Sequence, residues 1–144
     1  MGTYMVVAHR TLVGPHLLDH VRELARNEPD SRFHLVVPVR HPRGAWTDGE
    51  IQAAGRTRLD EGITAFEEAG LTVTGEVGDA SPVYAVSTAL RTLDFACDGI
   101  ILSTLPVGVS AWLHMDVEHR LKREFDLPVT HLVAAKAEKA TSSA

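Results

Sequence analysis

The strongest constraint on this chain is the regular alternation of short apolar runs with longer amphipathic segments. Residues 4–8 (YMVVA) predict a first strand. Gly14-Pro15 then opens a helix on which Leu17, Leu18, Val21, Leu24 and Ala25 make one apolar stripe, with Asp19, Arg22, Glu23 and Arg26 opposite. Residues 27–30, which include Pro29, stop it. Residues 33–39 (FHLVVPV) predict a second strand, with Pro38 near its end because proline donates nothing to a ladder. After a loop at 41–46, Thr47-Asp48-Gly49-Glu50 fits a capping box: Thr47 accepts from the third helical amide while Glu50 reaches back to the cap amide. The helix that follows runs to Ala69 with Ile51, Leu59, Ile63 and Phe66 as its stripe, and Gly70-Leu71 has the form of a left-handed cap with a hydrophobic contact.

The third strand, residues 71–77, alternates more than the first two, which suits a sheet edge with one wetter face. Ser81 as cap and Pro82 in the first turn begin a third helix that turns Val83, Val86, Leu90 and Leu93 inward. Residues 99–102 (GIIL) are apolar on both faces, as in the middle of a parallel sheet. A loop at 103–109 leads to Ser110 and a fourth helix carrying Leu113, Val117, Leu121 and Phe125, and residues 129–134 make a fifth strand. The expected domain spans residues 1–134, and the tail at 135–144, which has nothing to bury, is expected to be disordered. Five strands separated by four helices require parallel crossovers, so the expected fold is a three-layer α/β/α doubly wound sandwich around a five-stranded parallel sheet. In such sheets ligands bind outside the carboxyl ends of the strands, where the strand order reverses. That rule selects the loops after strands one, two and four: residues 9–11, 39–41 and 103–110.

Composition narrows the classes further. Among 144 residues, 14 Lys or Arg stand against 19 Asp or Glu, a formal charge of -5. That balance argues against a nucleic-acid partner, which needs a clustered basic surface. With 44% hydrophobic and 23% charged residues the chain reads as one ordinary globular domain. One cysteine, Cys97, forms no internal disulfide and has no ligand spacing around it, which excludes a disulfide scaffold or a zinc finger and points to a reducing, cytoplasmic setting. No run approaches the roughly 18 apolar residues of a membrane span.

The chain resembles the universal stress protein family over nearly its whole length. The resemblance rests on the order of elements, on Gly78-Asp79 with Ser81-Pro82 before helix three, on residues 98–102 (DGIIL), and on Val117-Glu118-His119-Arg120-Leu121 running to Leu127-Pro128-Val129. It implies the strand order 3-2-1-4-5 of the adenine nucleotide alpha hydrolase-like (HUP) folds, and a homodimer through strand five, with Val129, His131 and Val133 as candidate interface residues. The family's nucleotide-binding members carry an acidic residue after strand one and a glycine pattern after strand four. This chain departs at both places. His9 stands at the acidic position, Ser103 and Pro106 at the first two glycines, and Met115-Asp116 near the third, leaving only Gly108 in the loop. Glycines let backbone amides approach phosphate oxygens closely, and Pro106 has no amide to offer. Binding of ATP or another adenine nucleotide is therefore expected to be weak or lost, and no cofactor is assigned.

Ligand capacity of another kind is left in the same loops. Thr11, Ser103, Thr104 and Ser110 supply hydroxyls, and Val39 ends strand two. His9, Arg10, Arg40, His41 and Arg43 gather positive potential on one rim, which suits a small phosphate-bearing or carboxylate ligand. The plainer reading of the hydroxyls is that Ser110 caps helix four while Ser103 and Thr104 satisfy loop amides. Two functions follow: a non-enzymatic, dimeric stress-associated scaffold or ligand sensor with a degenerate nucleotide site, or a nucleotide- or phosphate-ligand-binding protein or hydrolase with a rebuilt site at the switch point.

Other constellations carry less. His16 and His20 are four apart on helix one, but they lie towards its polar side without an HExxH pattern and are expected to be solvated. His114 and His119 share no face, and His34 and His131 sit within strands, packed or at an interface, so no metal site is assigned. Cys97 precedes a buried strand, where a thiol behaves as a small hydrophobe. Asp79 and Ser81 are explained by turn and cap, and Trp112 by core packing. The acidic pair of a receiver domain, the HxGH motif of nucleotidyl transferases and a hydroxyl-rich flavodoxin loop are all missing, and no catalytic residue is assigned.

Overall fold

A computed structural model describes residues 2–8, 12, 14–39, 47–79, 81–93, 96–104 and 117–133. The elements follow the expected alternation: β1 (Thr3–Val7), α1 (Pro15–Asn27), β2 (Arg32–Pro38), α2 (Asp48–Glu68), β3 (Thr72–Gly78), α3 (Pro82–Thr92), β4 (Gly99–Thr104), α4 (Val117–Phe125) and β5 (Val129–Val133). The five strands form one parallel sheet in the order β3-β2-β1-β4-β5. Strand order reverses between β1 and β4, and this is the switch point that positions a ligand crevice.

Each face of the sheet carries its own core, and the period of two along the strands decides which residue joins which. Met5, Val7, Val36, Ile100 and Leu102 face α3 and α4 and pack with Val83, Val86, Val117 and Leu121. Val6, Leu35, Val37 and Ile101 point the other way and pack with Leu17 and Val21 of α1 and Leu59 and Phe66 of α2. Burying each of these side chains stabilises the fold by roughly 1.5–3 kcal/mol. In that second core Tyr4 stacks on Phe33 with centroids 6.0 Å apart, and Phe66 meets Phe33 edge-on at 6.1 Å.

Local chemistry sets the element ends. Thr47 Oγ1 accepts from the Glu50 amide and Glu50 accepts from the Thr47 amide, closing the capping box at α2. Glu50 is thereby held below the usual carboxylate range, first by the Thr47 amide bond. At the other end Gly70 takes φ +83°, the left-handed conformation, and the Leu71 amide returns to the Phe66 carbonyl. Asp79 accepts from the Ser81 amide and Ser81 caps α3, so both polar residues are occupied in the turn. Pro38 is the last residue of β2, where its missing amide costs no ladder bond. β3 lies at the sheet edge, as its alternation predicts.

One boundary differs in a way that matters. The sequence reading ends the fourth strand at Leu102, whereas β4 continues to Thr104, and Ser103 and Thr104 are strand residues only 1% and 2% exposed. Pairing with β5 carries the strand on, since Ser103 lies opposite Leu132 and Thr104 opposite Val133. Partner strands override the turn propensity of a Ser-Thr pair.

Candidate functional site

The carboxyl end of β4 presents one hydroxyl to each face of the sheet. Ser103 follows Ile101 onto the α1 side, and Thr104 follows Leu102 onto the α4 side. Both meet an imidazole.

On the α1 side, Pro15 starts the helix and places His16 in its first turn, where His16 Nε2 lies 3.0 Å from Ser103 Oγ. The sequence reading leaves His16 solvated beside His20, and the structure corrects it: His16 is half-buried and turned to the strand end. His20, one turn on, has its basicity lowered by burial. On the α4 side, His131 Nε2 lies 2.7 Å from Thr104 Oγ1 and His131 Nδ1 lies 2.8 Å from Glu118 Oε1. Glu118 spends its other oxygen on Lys122 Nζ at 2.8 Å, one turn along the same helix. The Lys122 hydrogen bond, followed by that of His131, holds the Glu118 carboxyl below its ordinary range. An ionised carboxylate only accepts, so the hydrogen bond to Glu118 takes its proton from Nδ1 of His131, and in the neutral imidazole Nε2 is then the acceptor facing the Thr104 hydroxyl.

His131 is packed, one of the two placements its strand position offers. It stands on the edge strand β5 beside Val129 and Val133, as a candidate interface residue would, yet its side chain is 12% exposed and turned inward to Thr104 and Glu118. Val129 is half-buried against the core and Val133 is 43% exposed. Of the other candidates, Val39 is buried at the end of β2, its amide bonded to the Gly78 carbonyl at 3.1 Å. His9, Arg10, Thr11, Arg40, Gly108 and Ser110 lie outside the described residues, as do His41, Arg43, His114, Trp112 and the tail.

A groove of about 570 Å³ opens beside Val39 at the carboxyl ends of β2 and β3, between α2 and α3. Asp48, Glu76 and Asp79 line it together with Gln52, Tyr84 and Thr88. Three carboxylates make it a poor seat for an anion. Cys97 offers no alternative chemistry: burial pushes its thiol up, and its sulfur donates to the Gly99 carbonyl. Among the described residues no group of three His, Cys, Asp or Glu side chains is arranged to hold a metal ion. No helix among them is long and apolar enough to cross a membrane.

The architecture and its switch point define an α/β fold of the universal stress protein type. A protein of the universal stress protein family from Burkholderia pseudomallei superposes with a TM-score of 0.61 at 19% identity, over 92% of this chain and 96% of that one. A universal stress protein solved in complex with cAMP superposes with a TM-score of 0.59 at 13% identity, over 93% and 97% of the two chains. No family model and no curated protein matches the sequence. At these identities the likeness is one of fold.

The contacts of His131 with Thr104 and Glu118 are what sequence reasoning missed. Their signal was present: once the period of two is extended to Thr104, parallel pairing of β4 with β5 sets His131 diagonally beside it on the same face.

Proposed function

We propose that this chain is a universal stress protein-like ligand sensor, working as a homodimeric scaffold, whose switch-point site recognises a small phosphate-bearing ligand weakly and without turning a nucleotide over. The observation that supports it best is the end of β4, where two buried hydroxyls, each bonded to an imidazole, stand just past the positions at which this strand pairs with β1. The Ser103 hydroxyl, on the α1 face, is a donor of fixed reach, able to meet one phosphate, whereas a run of glycine amides would wrap several. A fold neighbour solved in complex with cAMP supports a ligand with one phosphate. The sequence of the following loop, with Pro106 and a single glycine, supports the loss of any longer cradle.

Thermal-shift measurements with cAMP, AMP, ATP and inorganic phosphate test this reading. A ligand at 100 times its dissociation constant adds about 2.7 kcal/mol of stability, a shift easily read for a domain of this size. A shift with the phosphate-bearing compounds that is lost in Ser103→Ala is expected. Absence of any shift, or a shift indifferent to Ser103→Ala, would overturn the placement of the site.

A further inference from the structure

The Glu118–His131–Thr104 chain is the arrangement that general-base activation of a hydroxyl requires. A carboxylate fixes the proton on Nδ1, the opposite nitrogen is free of that proton, and a hydroxyl lies within hydrogen-bond reach of it. The burial gradient runs the useful way. Glu118 is the most open member, with 35% of its side chain exposed, His131 shows 12% and Thr104 is 2% exposed, so the hydroxyl and its base sit in low dielectric. Thr104 also lies at the carboxyl end of β4, one of the two strands that flank the strand-order reversal, where doubly wound sheets hold their ligands. The protein contains an instructive contrast. His34 is likewise set between a hydroxyl and a carboxylate, Thr74 and Glu76, but its carboxylate contact is longer at 3.3 Å and reaches Nε2, and it lies near the start of β2, away from the crevice. That trio ties two strands together, and nothing places a ligand against it.

We infer that Thr104 is a nucleophilic hydroxyl that accepts acyl groups from small activated acyl donors, the class of aryl esters and thioesters, with His131 as general base and Glu118 as the positioning residue. Thr104 Oγ1 attacks the acyl carbon while its proton passes to His131 Nε2. The tetrahedral adduct then collapses, the bond from carbon to the leaving oxygen or sulfur breaks, and the same proton goes from Nε2 to the leaving group. The product is an ester on Thr104. Water, deprotonated by His131 in turn, attacks that ester and releases the carboxylic acid, restoring the hydroxyl. Glu118 takes no proton; it keeps the imidazole in the tautomer whose Nε2 faces Thr104 and stabilises the imidazolium formed on attack. The slight exposure of Thr104 restricts the donor to a short acyl chain. The inference does not depend on phosphate recognition at Ser103, and the two can fail separately.

The test uses the full chain with p-nitrophenyl acetate, reading p-nitrophenolate release and mapping the acetyl group by peptide mass spectrometry. An acetyl group on Thr104, abolished in Thr104→Val and retained in Thr104→Ser, is expected. His131→Gln should slow acylation on the order of 10²–10⁴-fold. Glu118→Gln should slow it as well and change the shape of the rate against pH, whereas a residue that merely braces α4 on β5 would change stability alone. Octanoyl ester should react more slowly than acetyl ester. Acetyl groups found only on lysines, or p-nitrophenolate release at equal rates in the parent and in folded Thr104→Ser and Thr104→Val, would overturn the assignment.

Discussion

Tyr4 shows how one side chain ties a strand to the far end of a helix. Its hydroxyl donates to Glu28 Oε2 at 2.6 Å while its ring stacks on Phe33. A phenolate in that place would oppose the Glu28 carboxylate, so the hydrogen bond to Glu28, then burial, pushes the Tyr4 pKa from 10.0 up to about 12. The folded state therefore holds the phenolic proton more tightly than the unfolded chain. Its contribution is complete below pH 10 and is lost as pH rises from there through about 12. Tyr4→Phe keeps the ring, removes the bond, and should cost about 1 kcal/mol at neutral pH. Urea denaturation from pH 7 to 11.5 should show a stability gap between parent and variant that narrows above pH 10; a gap that does not narrow would contradict the account. Asp98 acts similarly at the start of β4, where its carboxylate accepts from the Thr3 amide at 2.8 Å and its own amide donates to the Thr3 carbonyl at 2.7 Å. That reciprocal pair gives the Asp98-Gly99 sequence a structural reason, with Gly99 leaving room for the Tyr4 ring: a Cβ there would lie 3.3 Å from Tyr4 Cδ1.

At the scale of elements, close approach explains features that periodicity leaves unassigned. α2 presses on the sheet through Gly55 and Gly62, both buried. A Cβ at Gly62 would lie 2.6 Å from Leu12 Cγ and 3.2 Å from Leu35 Cδ1, against side chains with no exposed surface. Gly62→Val should therefore destabilise by roughly 1–3 kcal/mol despite valine's better helix propensity. Gly49 is the counterexample in the same helix: its nearest neighbour would be Thr47 Oγ1 at 3.9 Å, so Gly49→Ala should stabilise by roughly 0.5–1 kcal/mol. Denaturation midpoints moving in opposite directions check the pair, and equal shifts would refute the packing argument. The caps, the helix stripes and the edge character of β3 were legible in the sequence because each is a local pattern of a few residues. The glycine contacts were not, since Leu12 and Gly62 meet only after a strand and a helix have been laid against each other. For the same reason Ser103 and Thr104 looked like loop hydroxyls. Their strand conformation comes from β5, and their imidazole partners come from α1 and β5, 87 and 27 residues away in sequence.

Among the described residues the molecule is a parallel sheet covered on both faces, with β3 and β5 as its two edges. Open edges invite a partner strand, and on β5 the exposed Val133 adds apolar area to the unpaired backbone groups. A homodimer through β5 would leave the inward-facing His131 in its bonds to Thr104 and Glu118 and use Val129 and Val133 at the seam. Size-exclusion chromatography with light scattering at micromolar concentration should give twice the mass of 15.6 kDa, and Val133→Lys should return the monomer. A monomeric parent protein would remove the dimer from the account. The global charge of -5 gives no hint of where a phosphate goes, because the carboxylates that line the groove beside β2 and β3 lie apart from the hydroxyls at the end of β4. The proposed ligand-sensing role depends on that end recognising one phosphate and no more. Calorimetric titration with ATP and AMP tests it most directly. Affinities for the two within a factor of about three, both weakened in Ser103→Ala, are predicted; ATP bound tenfold or more tightly than AMP, a difference of about 1.4 kcal/mol, would mean an intact triphosphate cradle and would contradict the account.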